Sequence, residues 1–563
     1  MAKAGHAYPQ VEPGVAAVMD PRVVTVSPAL PVTRALARMR AAGARLAVLG
    51  PGRAVRAREL AQAATWGLSQ RRAGEVAWRG LPTVLVRATE VQVRRLVQGG
   101  APLVLVQRKG RIIGAVDGER QGPMLAESSV LPRIERVADR HAEARLWLLR
   151  AAGKIGEGLG SPAYAVGGFV RDLLLGVAPP DVDLVVEGDG VGFARRLAEE
   201  IGGTLLVHGS FGTASIEGGC APAGAGLDDV ALGRVDVASA RREHYPAAGA
   251  LPEVEPAGLA EDLRRRDFSV NALAVALAPD RFGRLVDPLG GERDVRARRL
   301  RALRPLAFVE DPTRIFRAAR YSARLGLRPD AATLAGIRLA VTAGPYPALS
   351  GHRLWHELEL AAGEARAGKA FELIVRWNAV NIWNITTLVH LKALASAERL
   401  AGWSAAAGVA VDPAEVFLLA LTVTSPASAL ARTLDRLALT GEPRARLEAG
   451  AMAAPLARRL GGARLRPSEV DEALTAVPEP AALAAWLRGG PAVRRRIQWY
   501  LAHGRAVRPR LSGEDLLALG VPRGPRVGEA LAMLRRRRLD GGLGSLAEEQ
   551  DLVKEWLTSG KGA

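Results

Sequence analysis

A strand, a glycine turn and a helix, followed at short range by paired carboxylates, constrain this chain more than any other feature. The segment AYAVGGFVRDLLLG, beginning at Ala163, reads as an apolar strand, a Gly167-Gly168 turn and a helix beginning near Phe169. Adjacent glycines leave backbone amides unobstructed, and a helix N-terminus directs its N–H groups into the same space, which makes a phosphate cradle. PPDVDLVVEG follows and places Asp181 and Asp183 two residues apart on a strand pattern. Both then project from one face, ~7 Å apart along the strand. Like charges that close require a cation, and hard carboxylate oxygens suit Mg²⁺ bridging substrate phosphates. Asp236, in the strand-like RVDVASARRE, is a candidate third metal ligand.

Two later segments carry recognition chemistry. In EDLRRRDFSVNALA, Arg266 and Asp267 pair a cation with a carboxylate between apolar neighbours, and Asn271 adds an amide. In EDPTRIFRAARYSARLGL, Asp311 and Arg314 are three apart at a helix start with Pro312 in the first turn, so both side chains are expected on one face. A donating Arg beside an accepting Asp matches a base edge with one acceptor and one amino donor. Cytosine N3 and N4–H₂ fit, as do adenine N1 and N6–H₂; uracil and guanine present the reverse polarity.

These motifs, with DPLGG at Asp287–Gly291 between them, stand in an order that resembles the class II nucleotidyltransferases that add CCA to tRNA and the related bacterial poly(A) polymerases. The resemblance implies a template-independent enzyme with a polymerase-beta-like α+β head, adding CCA or CC from CTP and ATP to tRNA 3′ ends by two-metal transfer with Mg²⁺. It assigns Asp181 and Asp183 to the metal and to catalysis, and Gly167, Gly168 and Arg171 to the triphosphate. Arg266, Asp267 and Asn271 go to the triphosphate and ribose, and Asp311 and Arg314 to the base. Bacterial poly(A) polymerases share every motif quoted, so that product stays open, as does a non-catalytic nucleotide-sensing RNA-binding protein. Between Asp236 and Glu261 the resemblance implies a flexible loop.

Length and charge set the rest. A chain of 563 residues exceeds one ordinary core, so several modules are expected. A net charge of +19 favours polyanionic partners, here RNA. Residues 1–130 alternate strand and helix patterns in two cycles with a period of ~65 residues, an internal duplication. VMDPRVVTVSPALPVTRALARM and GRIIGAVD resemble the opening and the end of a tandem pair of α/β CBS domains. Such a pair implies an adenosyl nucleotide in the cleft with Asp117 on its ribose, although Arg53 and Arg56 replace the expected glycine and hydroxyl residue in the first unit. Residues 131–160 are expected as a connecting helix, 161–300 as the head, 301–365 as a helical nucleotide-template neck, and 366–563 as an all-α RNA-binding body and tail. There Arg535, Arg536, Arg537 and Arg538 are candidate phosphate contacts.

Other readings are exclusions. The single cysteine, Cys220, leaves no internal disulfide and fits a reducing cytoplasm. The uncharged stretch around Val416 to Ala431 contains Pro426 and falls short of the ~20 apolar residues of a span. The first residues lack a secretory apolar region. His352 and His356 in SGHRLWHEL share a helix face, but the segment resembles the Ser-x-x-Arg-x-x-x-Glu helix of the same family, which makes Arg353 and Glu357 structural. Neither a DHH nor an HD motif occurs, so no appended phosphoesterase or phosphohydrolase is expected. The sequence specifies no oligomeric state.

Overall fold

In a computed structural model, the structure describes residues 14–120, 125–130, 140–177, 181–208, 212–221, 230–383, 391–462 and 464–559. The chain divides into two compact units, Met1–Leu349 and Ser350–Ala563. The division falls inside the segment read as the neck.

The first unit opens with two small sheets of the same design. β1 (Val23–Thr25), β2 (Leu46–Gly50) and β3 (Arg53–Arg56) form one; β4 (Thr83–Leu85), β5 (Leu103–Arg108) and β6 (Arg111–Asp117) form the other. In each, the first two strands are parallel and the last two antiparallel. A helix, Val32–Ala41 or Glu90–Gln98, makes the crossover that parallel neighbours require. The duplication is therefore structural. Corresponding elements start 57 to 60 residues apart, Val23 and Thr83, Val32 and Glu90, Leu46 and Leu103, Arg53 and Arg111, a period shorter than the ~65 expected. Branched and apolar side chains such as Val104, Val106 and Val116 alternate into the core of the second sheet.

The head is one eight-stranded sheet. β7 (Leu125–Ser129), β8 (Ala163–Val166), β9 (Val182–Val186), β10 (Thr204–His208), β11 (Thr213–Glu217), β12 (Val235–Ser239), β15 (Ala274–Ala276) and β16 (Arg284–Val286) lie in the order β10-β11-β12-β9-β8-β15-β16-β7. β7 comes from the segment read as the N-terminal pair and closes the edge beside β16. The connecting helix is observed at Arg140–Gly158, and residues 131–139 lie outside the described residues. The expected flexible loop after Asp236 contains an antiparallel hairpin, β13 (Arg241–His244) and β14 (Glu253–Pro256). Its Tyr245 is buried.

The second unit is helical throughout its described residues. Among the described residues no single helix is long and apolar enough to cross a membrane; the apolar stretch breaks into Pro413–Thr422 and Ala427–Arg436, bent by 118° at Pro426.

Candidate active site

The glycine turn gathers the site. Gly167 takes φ +65° and ψ −125°, a conformation closed to most side chains, and the helix Gly168–Leu175 starts directly after it. A Cβ on Gly167 would meet Arg266 Nη1 at 2.7 Å; one on Gly168 would lie 3.5 Å from Arg171 Nη2 and 3.7 Å from Asp183 Oδ2. Thus the turn, both arginines and Asp183 surround one space, with helix amides on one side and a carboxylate on the other.

Parallel pairing of β9 with β12 sets Asp183 directly opposite Asp236. Neighbouring strands lie ~4.8 Å apart, so the two carboxylates share a face. Asp236 Oδ1 accepts from Ser215 Oγ at 2.5 Å and from Arg234 Nε at 2.9 Å. Asp181, expected on the strand face with Asp183, instead occupies an exposed bend just before β9, because the strand begins only at Val182. Burial raises the Asp183 carboxyl above its ordinary range, Arg266 and Arg171 oppose the rise, and Asp236 and Asp181 add to it. No hydrogen-bond donor among the described residues reaches Asp183. A half-buried carboxylate beside two others and without a donor fits a divalent cation as its missing partner. Among the described residues no three His, Cys, Asp or Glu side chains already converge on a common centre, so the three aspartates flank the cation position without being drawn around it.

A second network fixes the recognition residues. Arg171 is buried; its Nε donates to Asp172 at 2.8 Å and its Nη1 to Asn271 Oδ1 at 2.7 Å, with the guanidinium over the Tyr321 ring. Asn271 Nδ2 donates to Asp267 Oδ1 at 2.9 Å, and Arg317 Nε to Asp267 Oδ2 at 2.8 Å. Burial alone would lift the Asp267 carboxyl, but Arg317 and Asn271 outweigh it and hold the group below its ordinary value. Arg266 is anchored by the fully buried Asp262 at 3.0 Å, which also takes Arg265.

Asp311 and Arg314, expected as the base-reading pair, depart from the expected geometry. Asp311 precedes the helix Thr313–Leu325 in extended backbone, and its Oδ1 accepts from Thr313 N at 3.1 Å and Thr313 Oγ1 at 2.7 Å. It does not share a helix face with Arg314, because Pro312 is the cap and the helix begins one residue later. Arg314 is buried, with Nη1 donating to Glu310 Oε2 and the Ala307 carbonyl, both at 3.1 Å, and Nη2 to Tyr245 Oη at 3.2 Å. Tyr245 in turn donates to Glu243 at 3.0 Å. Sequence reasoning passed over Glu310, Tyr245, Asp262 and Arg317. Glu310 stood in the quoted motif beside Asp311, whereas Tyr245 lay in a segment whose alternation was too short to announce a hairpin.

The remaining sequence candidates lie elsewhere. In the second unit, Arg535 makes a two-point ion pair with Asp471 at 2.7 and 3.0 Å, and Arg538 pairs with the buried Glu549 at 2.8 Å. Arg536 and Arg537 are exposed, Arg536 lying 3.7 Å from Glu472. The run of four thus splits at helical spacing into an inward and an outward pair. His352 and His356 are exposed on the helix Gly351–Ala362. In the N-terminal cleft, Asp117 Oδ1 is taken by Arg56 Nη2 at 2.9 Å.

Residues 163–301 match the family described as the Poly A polymerase head domain. An A-adding tRNA nucleotidyltransferase of Geobacter sulfurreducens is 36% identical over 425 residues, 70% of this chain and 45% of that protein; the chain thus spans under half of that relative. A CC-adding tRNA nucleotidyltransferase of Deinococcus radiodurans is 36% identical over 394 residues, 70% of this chain and 88% of its own length. The solved Thermotoga maritima CCA-adding enzyme complexed with tRNA superposes with a TM-score of 0.60 at 27% identity, covering 76% of this chain and 99% of that one. The glycine turn, the in-register aspartates of the sheet and this likeness over most of a relative's length agree, and the chain belongs to the class II tRNA nucleotidyltransferase family.

Proposed function

We propose that the chain extends tRNA 3′ ends with C, or with C and A, from CTP and ATP, yielding CC or CCA. The observation that carries this reading is the convergence of Gly167, Gly168, Arg171, Arg266 and Asp183 on one space. Asp181, Asp183 and Asp236 would hold a divalent cation, for which we propose Mg²⁺, and it supplies neutralisation of triphosphate charge and polarisation of the attacking hydroxyl when bound. The amides of the Gly167-Gly168 turn with Arg171 and Arg266 receive the triphosphate. Asp267, kept ionised by Arg317 and Asn271, accepts from the ribose hydroxyl, and the rigid Arg171–Asn271–Asp267 chain fixes the distance between phosphates and sugar. To Arg314, held by Glu310 and Tyr245, and to Asp311 we assign the reading of the base edge. In-line attack of the primer 3′-OH on the α-phosphorus expels pyrophosphate, with no covalent intermediate on the protein.

An A-adding product is a second reading, favoured by the equally identical Geobacter relative. One experiment decides the product and tests the base-reading pair: tRNA lacking its 3′ CCA, and the same tRNA ending in CC, are each supplied with all four nucleotides and the extended ends are sequenced, an A on the CC-ended tRNA alone marking an A-adding product. Wild type adds only C and A. Arg314→Ala and Asp311→Ala admit U or G, with discrimination falling about five- to 150-fold, the equivalent of ~1–3 kcal/mol. Variants as selective as wild type would return both residues to structural roles; a run of A from wild type would make the chain a poly(A) polymerase.

The duplicated sheets support reading residues 1–130 as a CBS pair. Arg56 occupies Asp117 from within the cleft, which favours a structural pair over one that binds an adenosyl nucleotide there. For the tail, we assign RNA phosphate contact to Arg536 and Arg537. The exposed thiol of Cys220 fits a cytoplasmic protein.

A further inference from the structure

Away from the Gly167–Asp183 site, a cavity of about 390 Å³ is lined by residues from 75–82 and 96–102 of the N-terminal duplication and by residues from 293–308 and 330–336. Its wall is set by a backbone contact in which Gly99-Gly100 lies against Leu289-Gly290. A Cβ on Gly100 would fall 2.1 Å from the Leu289 carbonyl oxygen, so no larger residue allows the approach. The same carbonyl accepts from Arg301 Nη2.

Five arginines line the cavity: Arg79, Arg293, Arg299, Arg301 and Arg304. The acids available to them fall short. Of the lining carboxylates, Asp330 caps a helix through Thr333 N at 2.8 Å, and Glu75 lies 3.6 Å from Arg71. Behind the lining, one buried carboxylate, Asp294, serves both Arg301 at 2.7 Å and Arg299 at 3.7 Å. Glu310 is likewise shared by Arg304 at 2.7 Å and Arg314 at 3.1 Å. Among the described residues Arg293 has no carboxylate partner, and Arg79 donates only to the Gly74 carbonyl at 3.0 Å. Burial, and then the charges of Arg53 and Arg338, hold the Arg79 guanidinium below its ordinary range, and Glu75 offsets them only in part. Arg53 Nε is itself buried without a partner. Apolar surface from Trp78 and Phe308 completes the lining.

We infer that this cavity binds a small polyphosphate anion, inorganic or carried by a nucleoside, with Arg79, Arg293 and Arg299 as its phosphate ligands. Clustered guanidiniums in excess of their carboxylates match several phosphate oxygens at once. The volume, open to solvent where Arg79 and Arg293 are exposed, suits a small molecule rather than an RNA duplex. None of the residues at the Gly167–Asp183 site lines this cavity.

Equilibrium dialysis of the full chain with labelled tripolyphosphate tests the inference. Wild type is expected to hold two anions per chain, one at the phosphate cradle and one here. Arg79→Gln/Arg293→Gln should lose the second, or weaken it at least tenfold, while thermal midpoint and nucleotide incorporation stay at wild-type levels. Arg79→Lys/Arg293→Lys, which preserves charge, should retain it and so separates lost binding from lost folding. ATP binding more tightly than tripolyphosphate at this second site would identify a nucleoside carrier, and equal binding the phosphate chain alone. A glutamine variant that binds as many anions as wild type, and as tightly, would overturn the site, and so would one altered only in tRNA affinity. A single wild-type anion lost in that variant would leave this site standing and count against the cradle instead.

Discussion

Two charged clusters in the first unit show what distinguishes a structural ion network from a reactive one. In the N-terminal cleft, buried Arg56 is surrounded by Glu59 at 2.8 Å, Asp117 at 2.9 Å and Glu119 at 3.4 Å, and its guanidinium also faces Trp78. Burial would lower its pKa, but those three carboxylates more than reverse the effect. Trp78 Nε1 donates to Glu59 at 2.6 Å, so the opposing charges there are also hydrogen-bonded. At the head site the balance is broken: Asp183 has two carboxylate neighbours and no donor, and Arg171 and Arg266 are anchored from behind by Asp172, Asn271 and Asp262. A cluster that satisfies itself stiffens the fold. One that leaves like charges facing each other is completed by what binds there.

The sharpest way to break the comparison is to neutralise Asp183. Asp183→Asn should reduce nucleotide incorporation to less than a few per cent while leaving the thermal midpoint unchanged or slightly raised, since it removes a repulsive charge that no donor compensates. Substantial residual activity in a radiolabel incorporation assay would show that the carboxylate is not part of the chemistry. Arg56→Ala should do the opposite, because it leaves Glu59 and its neighbours without their cation. Breaking a buried pair from one side costs about 3–5 kcal/mol. The loss should appear as an earlier first transition on heating or in urea, with incorporation at low temperature preserved. A variant as stable as wild type would mean that the cleft charges are solvated.

The smallest effect concerns the tail, where the same contrast divides four consecutive residues. Arg536→Ala/Arg537→Ala should flatten the salt dependence of tRNA binding by about one to two charges' worth of slope. Arg535→Ala should leave the slope alone and lower stability by stranding Asp471. Reversed outcomes, read from filter binding across a salt series and from thermal melts, would reverse the assignment of inward and outward arginines.

Much of this was legible without coordinates because it is local. Strand, glycine turn and helix follow from residues 163–176, whereas the period of two applies to Asp183 alone, because the strand begins only at Val182. Motif order identified the family, and the alternation of residues 1–130 exposed the duplication. Where reading failed, the missing information was a partner distant in sequence. The helix start at Thr313 is not legible in sequence, because a proline serves equally as cap or as first residue. The segment after Asp236 looked irregular because a four-residue hairpin strand is recognised by its pairing.

Sequence by itself determined the chemistry available: which residues carry carboxylates, guanidiniums and free amides, and which turn brings phosphate to a helix end. Tertiary structure decided the pairings. Parallel register placed Asp236 opposite Asp183 across more than fifty residues of chain, Tyr245 and Glu310 took hold of Arg314, and Asp471 and Glu549 turned two of four adjacent arginines inward. The physical reason is that periodicity specifies the face a side chain presents, whereas an ion pair or hydrogen bond depends on what a separate element brings to within about 3 Å of it.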